Sequence, residues 1–150
     1  MAVIQDTYND APAKGFPGQV RNMEASNRLS RTVEDAAGLA FGRFAFRGAG
    51  DRGCTGTPAA GTVLGVVIAD HGQPLLPGGT ADTIPRYESA GICGRGVINV
   101  QVGADVTDGA PVYVTPAGVI VDDAAGNILA DGWVFDETVA SGGICAVARR

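Results

Sequence analysis

The sequence is short of the groups that do chemistry. In 150 residues it holds one histidine (His71), one lysine (Lys14), one tryptophan (Trp133) and three cysteines. With a single histidine, any Ser-His-Asp or Cys-His site has to use His71. Its neighbour Asp70 is badly placed to orient it, because adjacent side chains on an extended chain point opposite ways. His71 therefore reads as a loop histidine at a strand end. Cys54, Cys93 and Cys145 lack CxxC spacing, which argues against a zinc site or a disulfide framework. Reduced, partly buried thiols fit a protein made in a cytosol. Arg95 stands near Cys93 and a nearby arginine lowers a thiol pKa, but a buried strand-end cysteine is the plainer reading. No run approaches the roughly 18 apolar residues of a membrane span. The opening MAVIQDTYND has neither the basic nor the apolar region of a signal peptide.

Positive charge is also scarce. The formal net charge is −5 and the sequence pI about 4.6. No basic stripe is available to replace phosphate counterions, so a nucleic-acid partner is not expected. Gly94-Arg95-Gly96 lacks the Lys-Ser/Thr ending and following helix of a phosphate loop. Asp105-Val106-Thr107-Asp108-Gly109 and Asp122 to Asn127 lack full calcium-loop spacing and the closing glutamate, so the first reads as a turn before Pro111 and the second as an acidic loop. Aromatics make up 6% of the chain, too few for a sugar platform. No catalytic, metal or cofactor residue emerges.

Glycine is plentiful, with 23 residues, and eight prolines join it. They fall between short apolar runs and punctuate a many-stranded protein. Leu39 to Arg47 is aromatic-rich and closes at Gly48-Ala49-Gly50. Thr62 to Ala69 is a continuous apolar run, as in a centrally buried strand, and Gly65 inside it predicts a bulge or a close backbone approach. A breaker-rich loop follows from Asp70 to Gly79, and Tyr87 opens another extended stretch. Val97 to Val102 alternates cleanly. Pro111 to Thr115 and Val119 to Val121, joined by Pro116-Ala117-Gly118, predict a hairpin with Gly118 at positive φ. Ile128 to Phe135 and Ile144 to Ala148 complete the set. Strand-like runs without helical periodicity or an internal repeat predict an all-β fold, a sandwich, jelly roll or barrel.

The first 25 residues differ. Pro12, Gly15, Pro17 and Gly18 block a helix, leaving either a frayed terminus or an extended arm that orders on a partner. Ser26 to Asp35 alternates with only two apolar members, Leu29 and Val33. It reads as an edge strand, with a short helix capped at Asn27 or Thr32 as the competitor. The expected organisation is an arm over residues 1–35 and one β domain over 36–150.

Several of these segments resemble the head cement, or decoration, proteins of tailed bacteriophages. They are Pro17 to Val20, Ser30 to Gly38 with Phe41-Gly42, Leu64 to Val66 with Ala69 to His71, and Arg95 to Val97. Gly109 to Gly118 and Ser141 to Ile144 complete the likeness. It implies a small β-sandwich or jelly-roll-like domain, or a β-tulip-like barrel. Such a protein would sit on the outer face of an icosahedral head after synthesis in the host cytoplasm. It would bind the major capsid protein, self-associate as a dimer or trimer, and catalyse nothing. The coat-binding arm expected on that basis comprises Pro17, Gly18, Arg21, Glu24, Arg28, Arg31 and Glu34, with Arg21, Arg28 and Arg31 meeting coat carboxylates. Two other classes compete, a tail- or fibre-associated β module and a small oligomeric β-fold enzyme.

Overall fold

A computed structural model describes residues 14–150 except Pro74 and Leu76. The described residues form eleven strands and no helix. They are β1 (Asn27–Val33), β2 (Leu39–Ala40), β3 (Phe44–Arg47), β4 (Gly53–Thr55), β5 (Val63–Val67) and β6 (Thr83–Ile84). The rest are β7 (Ser89–Gln101), β8 (Pro111–Val114), β9 (Ile120–Val121), β10 (Ile128–Phe135) and β11 (Ile144–Arg149).

Two rings of strands share β7. The first runs β1-β4-β3-β5-β7 and closes because β1 pairs with both β4 and β7. The second runs β7-β11-β10-β8-β9 and closes through a bridge between Val102 and Ile120. At 13 residues β7 is long enough for both, its first half serving one ring and its second half the other. Closure leaves no long unpaired edge in either ring. β2 and β6 pair separately and bring Leu39 and Ile84 into the core of the first ring.

Alternation explains the two cores. Along β3, Phe44 and Phe46 point into one cluster and Ala45 into the other. Val66 and Val67 of β5 divide the same way, as do Ile92 and Cys93 of β7. The smaller cluster fills the first ring; the larger fills the second and covers the outer face of β3 and β5. Trp133 sits in the larger one, edge-on to Phe44 at 5.6 Å between centroids. In the second half of β7, Ile98 and Val100 enter the larger cluster, as does Val102 just beyond it, Val97 is buried with Ala146 and Ala148 on the other face, and Gln101 is exposed.

Gly65 fulfils both expectations for it. The register of β3 and β5 shifts beside it, and its φ is 146°. A Cβ there would lie 2.0 Å from the carbonyl oxygen of Cys93. The hairpin also forms as read: Thr115 N–H donates to Val119 O, Gly118 N–H donates to Thr115 O, and Gly118 has φ 79°.

The segment read as an edge strand is a strand without being an edge. Leu29 and Val33 face the first core, while Arg28, Ser30 and Thr32 face solvent. Its few apolar members reflect one wet face, not a missing neighbour.

Candidate functional site

Of the expected arm, residues 1–13 lie outside the described residues. From Lys14 onward the chain runs against the body as a strap, and then becomes β1. Gly18 N–H donates to Asn99 O at 2.8 Å, Asn99 N–H to Gln19 O at 2.9 Å, and Arg21 N–H to Val97 O at 3.1 Å. The strap and β1 together follow β7 along its length, antiparallel to it. Asn99, the one buried polar residue among the described residues, binds the strap through its side chain as well, donating to Lys14 O at 3.0 Å.

Most of the expected docking residues have partners inside the chain. Pro17 packs on Gly42, and the Pro17-Gly18 turn is wedged against the end of β5, where Ala69 N–H donates to Gly18 O. Only glycine fits at position 18, where φ is 82° and a Cβ would lie 2.7 Å from Ala69 N. Arg21 forms an ion pair with Glu137, and Lys14 stands 3.6 Å from the same carboxylate. Burial pushes the Glu137 carboxyl up, but the Arg21 hydrogen bond and charge outweigh it and hold it below the usual range. Glu24 pairs with Arg150, which also takes Asp136; the Arg150 hydrogen bond holds Glu24 low. Glu34 turns inward and accepts the N–H groups of Ala49 and Gly50. Arg28 is exposed on β1 opposite Cys93, and Arg31 is half-buried at the same strand's other end.

The other chemical candidates resolve into structure. Asp70 accepts the N–H of Gly72 at 2.9 Å and serves its own turn. His71 stands edge-on to Phe16 and Phe41, with centroids 4.8 and 5.8 Å away. Beside it, Phe16, Phe41, Arg43 and Val119 help line a groove of about 530 Å³. Asp105 accepts Ser141 N–H, and Asp123 accepts Ala125 N–H. Among the described residues, no His, Cys, Asp and Glu side chains gather as a metal cluster. All three cysteines are buried and free. Burial pushes the Cys54 and Cys145 thiols up to about 11 and raises Cys93 too, the opposite of an activated nucleophile.

Sequence reading missed a pair of side chains. Arg47, at the end of β3, shares a depression with Arg31 of β1. Strand order brings them together, and no local pattern announces it. A second overlooked feature is Tyr87, 72% exposed at φ 70°, with the Arg86 guanidinium 4.6 Å from its ring centroid. Positive φ is rare for a bulky residue.

The described residues thus form a double β ring with buried thiols and a strapped N-terminal segment. A family model described as structural cement protein (E217 gp24/Pam3 gp6) matches residues 4–150. The chain belongs to this phage structural cement family, whose place is in the virion at the capsid and whose role there is cement or decoration. A solved chain from the capsid of Myoviridae phage XM1 is similar at a TM-score of 0.73 and 20% identity. The alignment covers 99% of this chain and 98% of that one, and carries the fold. No curated protein matches the sequence.

Proposed function

We propose that the chain binds the outer surface of an icosahedral phage head and bridges neighbouring capsomers of the major capsid protein, catalysing no reaction. The family match over residues 4–150 carries this reading. As a functional unit, residues 1–35 are the docking segment and residues 36–150 the body that holds it in place. Arg28 and Arg31 are the members of that segment best placed to meet coat carboxylates, since Arg21 and Glu24 are engaged within the chain. A closed ring suits a clamp, because little conformational freedom is left to lose on binding.

Self-association as a dimer, with a trimer next, multiplies weak contacts through effective concentration. Leu129, 44% exposed on β10, offers apolar surface to such a contact. Nucleic acid is an unfavourable partner for a chain of net charge −5. No helix among the described residues is long and apolar enough to cross a membrane.

Co-sedimentation with expanded coat shells tests the reading. The full chain is expected to pellet with shells at saturable stoichiometry; a chain left in the supernatant defeats the proposal. A chain cut before Lys14 keeps every hydrogen bond described above and is expected to bind less. Unchanged occupancy would remove residues 1–13 from the docking segment.

A further inference from the structure

Arg31 and Arg47 face a depression of about 210 Å³ walled by the loop 48–51 and Gly53. The strand register explains their meeting. β4 lies between β1 and β3, with Thr32 opposite Gly53 on one side and Arg47 opposite Cys54 on the other. Arg47 is thus level with Val33, two residues along β1 from Arg31, which puts the two backbones ~12 Å apart. That gap suits two long side chains converging on one small group.

The wall is built from within. Glu34 holds the loop by accepting Ala49 N–H at 2.7 Å and Gly50 N–H at 2.8 Å. A Cβ on Gly48 or Gly53 would come within 2.3 or 1.7 Å of the Glu34 carboxylate oxygens, so a side chain at either would push that carboxylate off the loop. Since the loop is already shaped, little ordering remains to oppose a ligand. Among the described residues, neither Arg31 nor Arg47 has an ion-pair partner; Arg31 gives one bond to Ser30 O.

Charge is also divided along the molecule. Residues 27–95 carry seven arginines against six carboxylates, while residues 96–150 carry two arginines against seven. Three of those six, Glu34, Asp35 and Asp70, are turned onto backbone N–H groups. Across β1 from Arg52 stands Tyr87, whose N–H donates to Val33 O at 2.8 Å. Tyrosine and arginine are the residues most enriched where partners bind tightly.

We propose that the Arg31–Arg47 depression is a socket for one acidic side chain of the coat protein, which sets the first ring toward the coat and the carboxylate-rich second ring away from it. A coat aspartate or glutamate enters between the two guanidinium forks and takes hydrogen bonds from both. This rests on the cement reading and adds to it the contact residues and the orientation.

The test uses the full chain and expanded coat shells. R31S/R47S is expected to lower occupancy at fixed protein concentration at least tenfold, with wild-type melting. D122N/D123N, on the second ring, is expected to bind as wild type. Wild-type occupancy from R31S/R47S overturns the socket and leaves the cement reading standing. A wild-type chain that fails to pellet overturns that reading and the socket with it. Equal losses from D122N/D123N overturn the orientation, as does a change in the free protein's own sedimentation with R31S/R47S, which assigns the arginines to contact between copies. If R31S/R47S melts lower, R31K/R47K decides the matter. It keeps stem and charge but loses the fork, and is expected to bind several-fold more weakly; wild-type binding from it overturns the socket.

Discussion

At the scale of single residues, the thiols show how burial alone sets chemistry. Cys54, Cys93 and Cys145 lie in strands at 0% exposure, and burial is the largest cause of each raised pKa. In the unfolded chain a thiol ionises near its ordinary value of 9.0; in the fold burial pushes Cys54 and Cys145 up to about 11. The unfolded state thus loses protons first as pH rises. Stability from this source is complete below pH 9.0 and is lost as pH rises toward about 11. Urea midpoints measured across that window are expected to fall, and C145A is expected to flatten the slope. Cys93 and Cys145 are likewise expected to react with a thiol reagent only slowly until denaturant is added. Burst labelling of the native protein would contradict their placement. The sequence made these cysteines readable through the apolar runs around them, and it made His71 readable through the lack of any partner. Arg47 was not readable, since its meeting with Arg31 depends on β4 lying between two strands distant along the chain.

At the scale of elements, Gly65 and the strap carry the two clearest consequences. Any side chain at Gly65 collides with the Cys93 backbone, which belongs to the neighbouring β7 and cannot move alone. Gly65→Ala is expected to destabilise by about 3 kcal/mol, combining overpacking with a strained φ, as read by urea denaturation. The strap is held differently, by backbone bonds to β7 and by carboxylates whose pKa values are lowered. Glu24 and Glu137 both sit below the ordinary carboxyl value of 4.5, so their contribution is present above 4.5 and is lost as pH falls through their lower folded values. Hydrogen-exchange protection factors at Gly18, Arg21 and Asn99 are expected to fall selectively in acid, before those of the rings. A uniform loss of protection would mean that the strap and rings unfold together. Here too legibility was uneven. Breakers such as Gly15, Pro17 and Gly18 spoke against a helix but carried no sign that Asn99, some 80 positions away, would bind the stretch from Lys14 to Gln19. The 111–121 hairpin was readable because its partners are neighbours in sequence.

At the scale of the whole molecule, sharing β7 joins the two rings into one cooperative unit. The first ring cannot separate from the second without stripping both β1 and β5 from the strand that also closes the second. Val33→Ala, in the first core, is therefore expected to shift the unfolding transition reported by Trp133 in the second by the same amount as the transition seen by circular dichroism. Two separated transitions would show that the rings unfold independently. All-β character followed from the punctuation of the sequence, but ring closure did not. It rests on a bridge between Val102 and Ile120 and on a mostly polar strand, β1, that pairs on both sides.

The antiparallel run of strap and β1 along β7 has a mechanical meaning. Tension applied along that axis shears many backbone hydrogen bonds at once, so the force is divided among them. Tension applied across it would tear them one after another, each carrying the whole pull. If the docking segment is gripped at its N-terminal end, an outward strain of the head that draws it lengthwise meets the stiff direction of the molecule.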